Sequence, residues 1–516
     1  MPQTESTAAN NKRIAKNSIY MSLRMVLALI VSLYTTRATL SALGVVDYGI
    51  FNVVCGFVSM FTFLNTSLAN GIQRFFNYEI GRENGDRLVL VYNSALQIQI
   101  VIAIIITIFT EFIGSWYIQE KMVIPVDRAV AALYIFQFSV ASMFLMIIQT
   151  PFVAAVMAHE CMGFFSIIGV LDVVLKLLIV LSLPYFEGDL LIVYGFLFLM
   201  ICLFDSFAYV LYSRLKFTEV RVKRIFDFQM LKDMLSFSGW NVFSSFAGVM
   251  REQGVNMVMN IYFGPIVNAA RGIASQVNGA LEGFAGNILT PARPQVIQSY
   301  AQSNYVRAFN LTFTISKLAA LFVAILAVPI CIEIDFILKV WIGEQVPNHA
   351  NTFVVWVLLN TVVNILMGSM ATIVHASGQM KTYQLVGGFI KLLPVPVSLF
   401  LLKYVYIPEY ALISVFIFTF VGYIVGLYII KSIQDYSITQ YFRSVLFPVL
   451  AVPTILVLLI YPLHIIMVQS IYRLITIMIE GCVMGCLTTY ILALTQDEKR
   501  YVNLFIKENL FKKLIK

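Results

Sequence analysis

The sequence predicts an all-α polytopic membrane protein with about 14 transmembrane helices, arranged as two six-helix lobes and two C-terminal helices. Three observations support this prediction: apolar stretches of spanning length, basic residues concentrated in alternate loops, and an internal repeat. Hydrophobic residues make up 60% of the 516 residues, and charged residues only 12%. About 20 apolar residues in a helix cross a bilayer, because every backbone polar group must be satisfied within its own segment.

The apolar stretches fill most of the chain and set its predicted organisation. They lie at residues 17–37, 48–70, 90–110, 129–156, 163–183, 190–212, 236–262, 267–290, 308–331, 350–374, 384–402, 411–430, 445–461 and 472–494. The predicted divisions are a cytoplasmic N-terminal segment (1–16), an N-lobe (17–212), a basic cytoplasmic linker (213–235), a C-lobe (236–430), the last two spans (445–494) and a basic cytoplasmic tail (495–516).

Basic residues in the loops predict the orientation. If both termini share one side, the loops on that side hold 23 of the 35 Lys and Arg residues, whereas the opposite loops hold six when Arg37 and Arg473, at the ends of the adjoining spans, are counted with them. The positive-inside rule then places both termini in the cytoplasm of a multi-pass protein. This asymmetry also explains the net charge of +8, so we expect no nucleic-acid partner.

Several classes of protein are disfavoured by composition. The first apolar run is too long and too continuous for a cleaved signal peptide, so we expect it to remain as a helix. The six cysteines lie in or beside apolar segments without metal-like pairing with the four histidines. No phosphate-binding loop, zinc-protease helix or nucleophile elbow is present. We therefore expect no metal, no cofactor and no ATP-driven step.

An internal repeat with an offset of 220 residues relates the two predicted lobes. It aligns Leu43-Gly44 with Phe263-Gly264, and in both copies an apolar-Gly corner ends one helix immediately before the next span. The fifth span of each copy carries one lysine, Lys176 or Lys391. Because six spans is an even number, both copies start on the same side of the membrane. Parallel repeats of this kind generally place a substrate site between the lobes.

Ionisable residues inside the predicted spans mark the candidate site, because each one costs at least about 2.5 to 3.5 kcal/mol at membrane depth. Arg24 lies on a polar stripe of the first span, and Arg271 shares a face of the eighth span with Glu282. Arg251 and Glu252 lie near the middle of the seventh span and point about 100° apart, so the pattern favours partners on other helices, or a substrate, over a mutual ion pair.

Four buried bases recur in equivalent or neighbouring parts of the two halves: Arg24, Arg251, Arg271 and Lys391. They outnumber the acids on the same spans. An inward-facing cavity with excess positive charge selects an anion, and a phosphate fits best because the planar fork of arginine supplies two aligned donors. We therefore predict that these four residues bind substrate.

Acidic residues are the candidates for ion coupling or counter-charge. Glu252, Glu282 and Asp47 lie on cavity-forming spans or at their corner, where a carboxylate can alternate between protonation and pairing with an arginine. Asp172 and Lys176 are four residues apart on the fifth span, in the order that favours an internal ion pair. Glu480 lies deep in the last span without a local partner, and the sequence assigns it no role.

Several short motifs resemble one family of membrane proteins. They are Lys12 to Asn17, the corner Leu43 to Gly49, Arg74-Phe75-Phe76 with Gly81-Arg82, and Asn268 to Ala274 with Pro291 to Pro294. Together with the fourteen-span plan, they resemble the bacterial polysaccharide flippases, the O-antigen and capsule oligosaccharide translocases of the multidrug, oligosaccharidyl-lipid and polysaccharide exporter superfamily. The resemblance covers about residues 10 to 495.

The resemblance implies a two-lobe flippase of the bacterial inner membrane. Its substrate would be undecaprenyl-pyrophosphate-linked oligosaccharide for O-antigen or other lipopolysaccharide, moved by alternating access, with Arg24, Arg251 and Arg271 as cavity bases and Asp47 as the acidic corner residue. Membrane lipids and the polysaccharide polymerase and chain-length machinery are the implied partners. The alternatives are a peptidoglycan-precursor flippase, an ion-coupled antiporter of the same superfamily, and a glycan polymerase or ligase. The short outer loops disfavour the enzyme.

Overall fold

The protein was analysed as a computed structural model, which describes residues 2–62, 72, 75–76, 79–80, 85–159, 161–223, 227–496, 498–500 and 503. Within these residues, side chains are described except at 2–26, 29, 62, 233, 235–242, 287–288, 290–295, 298 and 301. The side chains of Arg24 and of residues 291–294, and the loop motif residues 73–74 and 81–82, therefore lie outside the described part of the chain. The backbone of 291–294, predicted as a loop, is helical and belongs to the helix Pro265–Ala301.

Seventeen α-helices follow one another through the described residues. They are α1 (Pro2–Ser59), α2 (Gly85–Glu120), α3 (Ala129–Ala158), α4 (Met162–Ser182), α5 (Leu190–Lys216), α6 (Phe228–Val249), α7 (Val255–Phe263), α8 (Pro265–Ala301), α9 (Tyr305–Ile332), α10 (Ile334–Ile342), α11 (Ala350–Ser377), α12 (Met380–Leu392), α13 (Pro394–Val405), α14 (Glu409–Ile433), α15 (Ile438–Tyr441), α16 (Phe447–Ile466) and α17 (Ile471–Thr488). Short π-helical turns occupy Met250–Gly254, Phe442–Leu446 and Thr489–Ala493.

The predicted fold class is confirmed: the chain is an all-α polytopic membrane protein. The described residues contain no strand, and eleven of their helical segments are long and apolar enough to cross a bilayer. Met162–Tyr185 illustrates the pattern, with a mean hydropathy of 2.6 although only 17% of its most apolar window is buried. An apolar helix surface of this extent requires lipid around it. The first predicted span and the first part of the second, up to Ser59, lie on α1, the seventh lies on α6 and α7, and the eighth lies on α8.

The glycine corners of the internal repeat have the same backbone conformation. Gly44, inside α1, has φ 78° and ψ 172°, and Gly264, between α7 and α8, has φ 72° and ψ −170°. This region of conformational space is essentially restricted to glycine. Two residues 220 positions apart thus make the same sharp bend, which confirms the alignment of the two corners.

Two compact units divide the described helices. The first contains residues 1–276, 341–350 and 384–415, and the second contains residues 277–340, 351–383 and 416–516. The division into an N-lobe and a C-lobe with two added spans stays a prediction. In the first unit, the stacked rings of Phe57 and Tyr117 (centroids 5.3 Å apart) and the buried ring of Phe136 form part of a core shared by α1, α2 and α3.

Close helix packing in the first unit depends on Gly49 of α1. A Cβ atom at this position would lie 1.9 Å from the carbonyl oxygen of Pro265, the first residue of α8. Because that neighbour is backbone, the clash cannot be relieved by a change of rotamer. The absence of a side chain at residue 49 therefore allows the second half of α1 to pack against the start of α8.

We expect Gly49→Ala to lower stability by about 1 to 3 kcal/mol, because overpacking forces the backbone apart. Thermal unfolding in detergent, followed by loss of the monodisperse peak, measures the effect. Gly248→Ala is the matched control, since nothing lies within 4 Å of a Cβ built at this helical glycine. Equal melting temperatures for the two variants would contradict the described packing.

In the second unit, polar contacts fix the α16–α17 hairpin to α9 at both ends. At one end, Glu333 accepts hydrogen bonds from Arg473 (2.8 Å) and is paired with His464 (2.7 Å). At the other end, Lys317 of α9 donates to Glu498 (2.7 Å) and to the carbonyl oxygen of Ala493 (2.8 Å). The Glu333 side chain is fully buried, as are nearly all atoms of Lys317. These contacts couple the hairpin to α9.

Candidate functional site

A π-helical turn brings three consecutive polar side chains to one place in the first unit. Met250–Gly254 carries Arg251, Glu252 and Gln253 between α6 and α7. A π turn accommodates an extra residue in each turn, so successive side chains diverge less than in an α-helix, and such turns occur frequently at functional sites. The interruption lies in the middle of the predicted seventh span.

Two arginines converge on the Glu252 carboxylate. Arg251 donates to Oε1 from Nε (3.2 Å), and its Nη2 lies 3.1 Å from the same oxygen. Arg271 of α8 donates from Nη2 to Oε2 at 2.7 Å. The expectation of a partner on another helix is confirmed for Glu252 by Arg271, but the mutual pair of Arg251 with Glu252, which the spacing disfavoured, also forms, because a π turn rather than a regular α-helix sets the angle between them.

A ladder of asparagine side chains sets the position of α8 against α7. Asn260 donates to Asn268 (2.8 Å), and Asn268 donates to both the side-chain and backbone oxygens of Asn256 (2.8 and 2.9 Å). Asn260 also accepts a hydrogen bond from the backbone of Val123 (3.0 Å). Asn260 and Asn268 are fully buried, and their hydrogen bonds compensate for that burial. Arg271 is therefore held beside the π turn by a rigid pair of helices.

Glu252 and Arg271 line a cavity of about 310 Å³ in the first unit. The other lining residues belong to α1, the π turn, α7 and α8. They are Phe51, Asn52, Cys55, Gly56 and Ser59 of α1, Gln253 of the π turn, Asn256 of α7, and Gly272 and Ser275 of α8. The volume is at the lower end of the range for small-molecule sites. The side chain of Arg271 is 7% exposed, whereas that of Glu252 is 41% exposed.

Lys391 adds a further positive charge near this cluster. Its Nζ donates to Ser244 Oγ at 3.2 Å, and its charge interacts with that of Arg251. The structure thus brings together three of the four predicted bases. Arg251, Arg271 and Lys391 with the single acid Glu252 leave a net charge of +2. An anion is the ligand that this arrangement can stabilise.

Asp47 has a different position, in a cluster at the glycine corner. Arg128 donates to both carboxylate oxygens of Asp47, through Nε at 2.7 Å and through Nη2, and also to Asp189 at 2.6 and 2.9 Å. Burial alone would raise the pKa of Asp189, but the hydrogen bonds from Arg128 and from the N-terminus of α5 lower it overall. In this arrangement Asp47 is a counter-charge that ties α1 to the start of α3 and α5.

Asp172 and Lys176 form an ion pair at 2.9 Å on α4, away from the cavity lining. Lys176 also lies over the ring of Phe198, 4.9 Å from its centroid. Asp205 of α5 interacts with both members of the pair. Sequence reasoning missed Asp205, because the contact joins two helices and has no signature within either one.

Of the predicted residues with described side chains, only Glu252 and Arg271 line the cavity; Arg251 and Lys391 lie beside it in the same cluster. Glu282 lies on α8 in the second unit with an exposed side chain. Glu480 of α17 is half-buried and has no hydrogen bond or ion pair within the described part of the chain. Sequence reasoning also missed Asn52 and Gln253. Each of them lies close to a glycine on another helix, and a contact between helices leaves no pattern within either sequence segment.

The helices define the class, a multi-pass all-α membrane protein, and its fold is similar to those of solved membrane transporters. The lipid II flippase MurJ, in an inward closed conformation, has a TM-score of 0.68 at 13% identity, over 92% of this chain and 98% of that protein. An inward-facing multidrug resistance MATE family transporter of the MOP superfamily has a TM-score of 0.55 at 14% identity, over 82% and 96%.

A eukaryotic MATE transporter gives a TM-score of 0.52 at 14% identity, over 82% of this chain and 94% of that one. At these identities the likeness shows the fold. No protein-family model matches the sequence, and no curated protein matches it.

Proposed function

We propose that this protein is a flippase that moves undecaprenyl-pyrophosphate-linked oligosaccharide across the bacterial inner membrane for surface polysaccharide synthesis. The observation that carries the proposal is the convergence of Arg251 and Arg271 on one accessible carboxylate in a cavity of a membrane-spanning protein. Guanidinium groups match phosphate oxygens in pairs. A pyrophosphate is a ligand that can replace Glu252 as the partner of both arginines.

Glu252 gives the proposed cycle a means of release. With the carboxylate paired to both arginines, the cavity is partly neutralised and an anionic headgroup must compete for the same donors. Protonation or displacement of Glu252 would free the arginines. Alternating access requires two conformations, one open to each side of the membrane. If Glu252 is paired with the arginines in only one of them, an ion gradient can bias the direction of transport. We propose no role in coupling for Glu282, Asp47, Asp172 or Lys176 beyond that of counter-charges.

The fold and the charge of the cluster formed by Arg251, Arg271, Lys391 and Glu252 at the cavity separate this proposal from its rivals. A net positive cluster disfavours a transporter of cationic drugs. A peptidoglycan-precursor flippase is the second candidate, favoured by the likeness to MurJ. Both candidates require a lipid-linked substrate, membrane lipids around the protein, and both termini in the cytoplasm. Contacts with a polymerase and with chain-length machinery belong to the first candidate.

Translocation in proteoliposomes tests the proposal. Purified protein is reconstituted with a fluorescent undecaprenyl-pyrophosphate oligosaccharide, and movement between leaflets is followed by quenching from outside under imposed pH, sodium or voltage gradients. We expect protein-dependent translocation of this lipid. A lipid-linked peptidoglycan precursor, assayed in parallel, distinguishes the two candidates. Rates equal to those of protein-free liposomes for both substrates would refute the proposed function.

A further inference from the structure

The cavity has a neutral side as well as a charged one. Next to Glu252 in the π turn, Gln253 lines the cavity, and Asn52 lines it from α1. Gln253 makes no hydrogen bond to any residue that the structure describes. Its amide is not sealed within the protein, since neither of its polar atoms is among the buried atoms without a partner. An amide in this state is available to a ligand.

Two glycines make room for these amides. A Cβ atom on Gly56 of α1 would lie 2.5 Å from Gln253 Oε1, and one on Gly272 of α8 would lie 2.7 Å from Asn52 Oδ1. Asn52 is held in place by a 2.8 Å hydrogen bond from its Nδ2 to the carbonyl oxygen of Tyr48. Each amide therefore lies against a neighbouring helix at a position where any other residue would displace it.

The chemistry of an amide differs from that of the adjacent arginines. A carboxamide both donates and accepts hydrogen bonds and carries no charge, so it suits a hydroxyl or acetamido group better than a phosphate. The charged and neutral side chains are consecutive in the π turn, so an anionic group bound by the arginines would have the amide of Gln253 beside it. A cavity of about 310 Å³ has room for a headgroup but not for a long glycan.

We propose that Gln253, supported by Asn52, is the specificity-determining residue that hydrogen-bonds the sugar attached directly to the pyrophosphate. This inference rests on the proposed function and assigns a second subsite to the same cavity.

The test compares the affinities of the full-length protein for two lipids, undecaprenyl pyrophosphate and undecaprenyl-pyrophosphate-N-acetylglucosamine. Two neutral hydrogen bonds between the cavity amides and the sugar should make the wild-type protein bind the sugar-bearing lipid about tenfold more tightly than the sugar-free lipid. We expect Gln253→Leu to bring the ratio of the two dissociation constants close to one while leaving the affinity for the sugar-free lipid unchanged. Gln302→Leu, at an exposed position, is the control.

Gly56→Ala provides an independent variant that leaves the amide intact. The added methyl group meets the end of a flexible side chain, so Gln253 moves and the helices stay in place. We expect the same loss of preference as in Gln253→Leu, and none in Gly248→Ala, where a Cβ meets nothing within 4 Å. An unchanged ratio in both variants, or an equal loss of affinity for both lipids, overturns the sugar subsite.

Arg271→Ala separates this inference from the proposed function. We expect this variant to bind both lipids more weakly and to keep the ratio between them. If Arg271→Ala binds both lipids as wild type does, the pyrophosphate site is wrong. A change of ratio in Gln253→Leu tests the sugar subsite alone.

Discussion

Arg271→Ala is expected to abolish most translocation of a pyrophosphate-linked oligosaccharide. The guanidinium is nearly buried beside the cavity and donates to Glu252 at 2.7 Å, so it is pre-positioned to bind an anion that displaces this carboxylate. Hydrogen bonds to charged groups are worth about 1.5 to 3 kcal/mol, which corresponds to roughly a 10- to 150-fold loss. Arg271→Lys should also be impaired, because an ammonium lacks the paired donors.

Two control variants make this expectation specific. Arg307→Ala removes the same charge from an exposed position and should transport normally. Glu252→Gln keeps the shape of the side chain but removes the competing charge, so we expect binding of the pyrophosphate lipid to be on the order of tenfold tighter. Normal translocation by a well-expressed Arg271→Ala variant would remove this residue from the site.

Arg473→Met is expected to cause the largest loss of stability. Arg473 is paired with Glu333, whose side chain is fully buried between α9 and the α16–α17 hairpin. Removing Arg473 takes away the guanidinium that compensates this buried carboxylate and leaves His464 beside it, and the loss of one partner of a buried ion pair costs about 3 to 5 kcal/mol. The unfolding transition in detergent should therefore shift strongly to lower temperature, with loss of folded protein on extraction.

A double variant shows whether the buried charge is the cause. Arg473→Met combined with Glu333→Gln no longer buries a carboxylate that lacks its guanidinium, so we expect it to recover much of the lost stability. Arg443→Met, at an exposed position of the same unit, should melt like wild type. A melting temperature for Arg473→Met within the error of wild type would show that the pair does not hold the hairpin.

The sequence was informative where local pattern determines structure. Apolar stretches predicted the helices because spanning a bilayer requires continuous apolar helix. The repeat predicted the corners at Gly44 and Gly264, since their backbone conformation is one that only glycine adopts readily. The ion pair of Asp172 with Lys176 followed from helical spacing alone.

Features that depend on irregular backbone or on tertiary contact were not predictable. The Arg251–Glu252 pair was missed because nothing in the sequence marks a π turn. Arg128 joins Asp47 to Asp189 across segments far apart in the chain, and hydropathy gives no indication of that contact. The cavity amides were missed because Gln253 fits beside α1 only where Gly56 has no side chain, and the sequence does not show that these two residues are in contact.

The measurement that most directly tests the central claim is the affinity of the protein for three lipids with one tail: undecaprenyl pyrophosphate, undecaprenyl phosphate and undecaprenol. If Arg251 and Arg271 hold the pyrophosphate, wild-type affinity should decrease in that order, because each phosphate lost removes charge-assisted hydrogen bonds. In the Arg251→Ala/Arg271→Ala double variant the three affinities should converge on that of undecaprenol. Equal binding of all three lipids by wild-type protein would contradict the account.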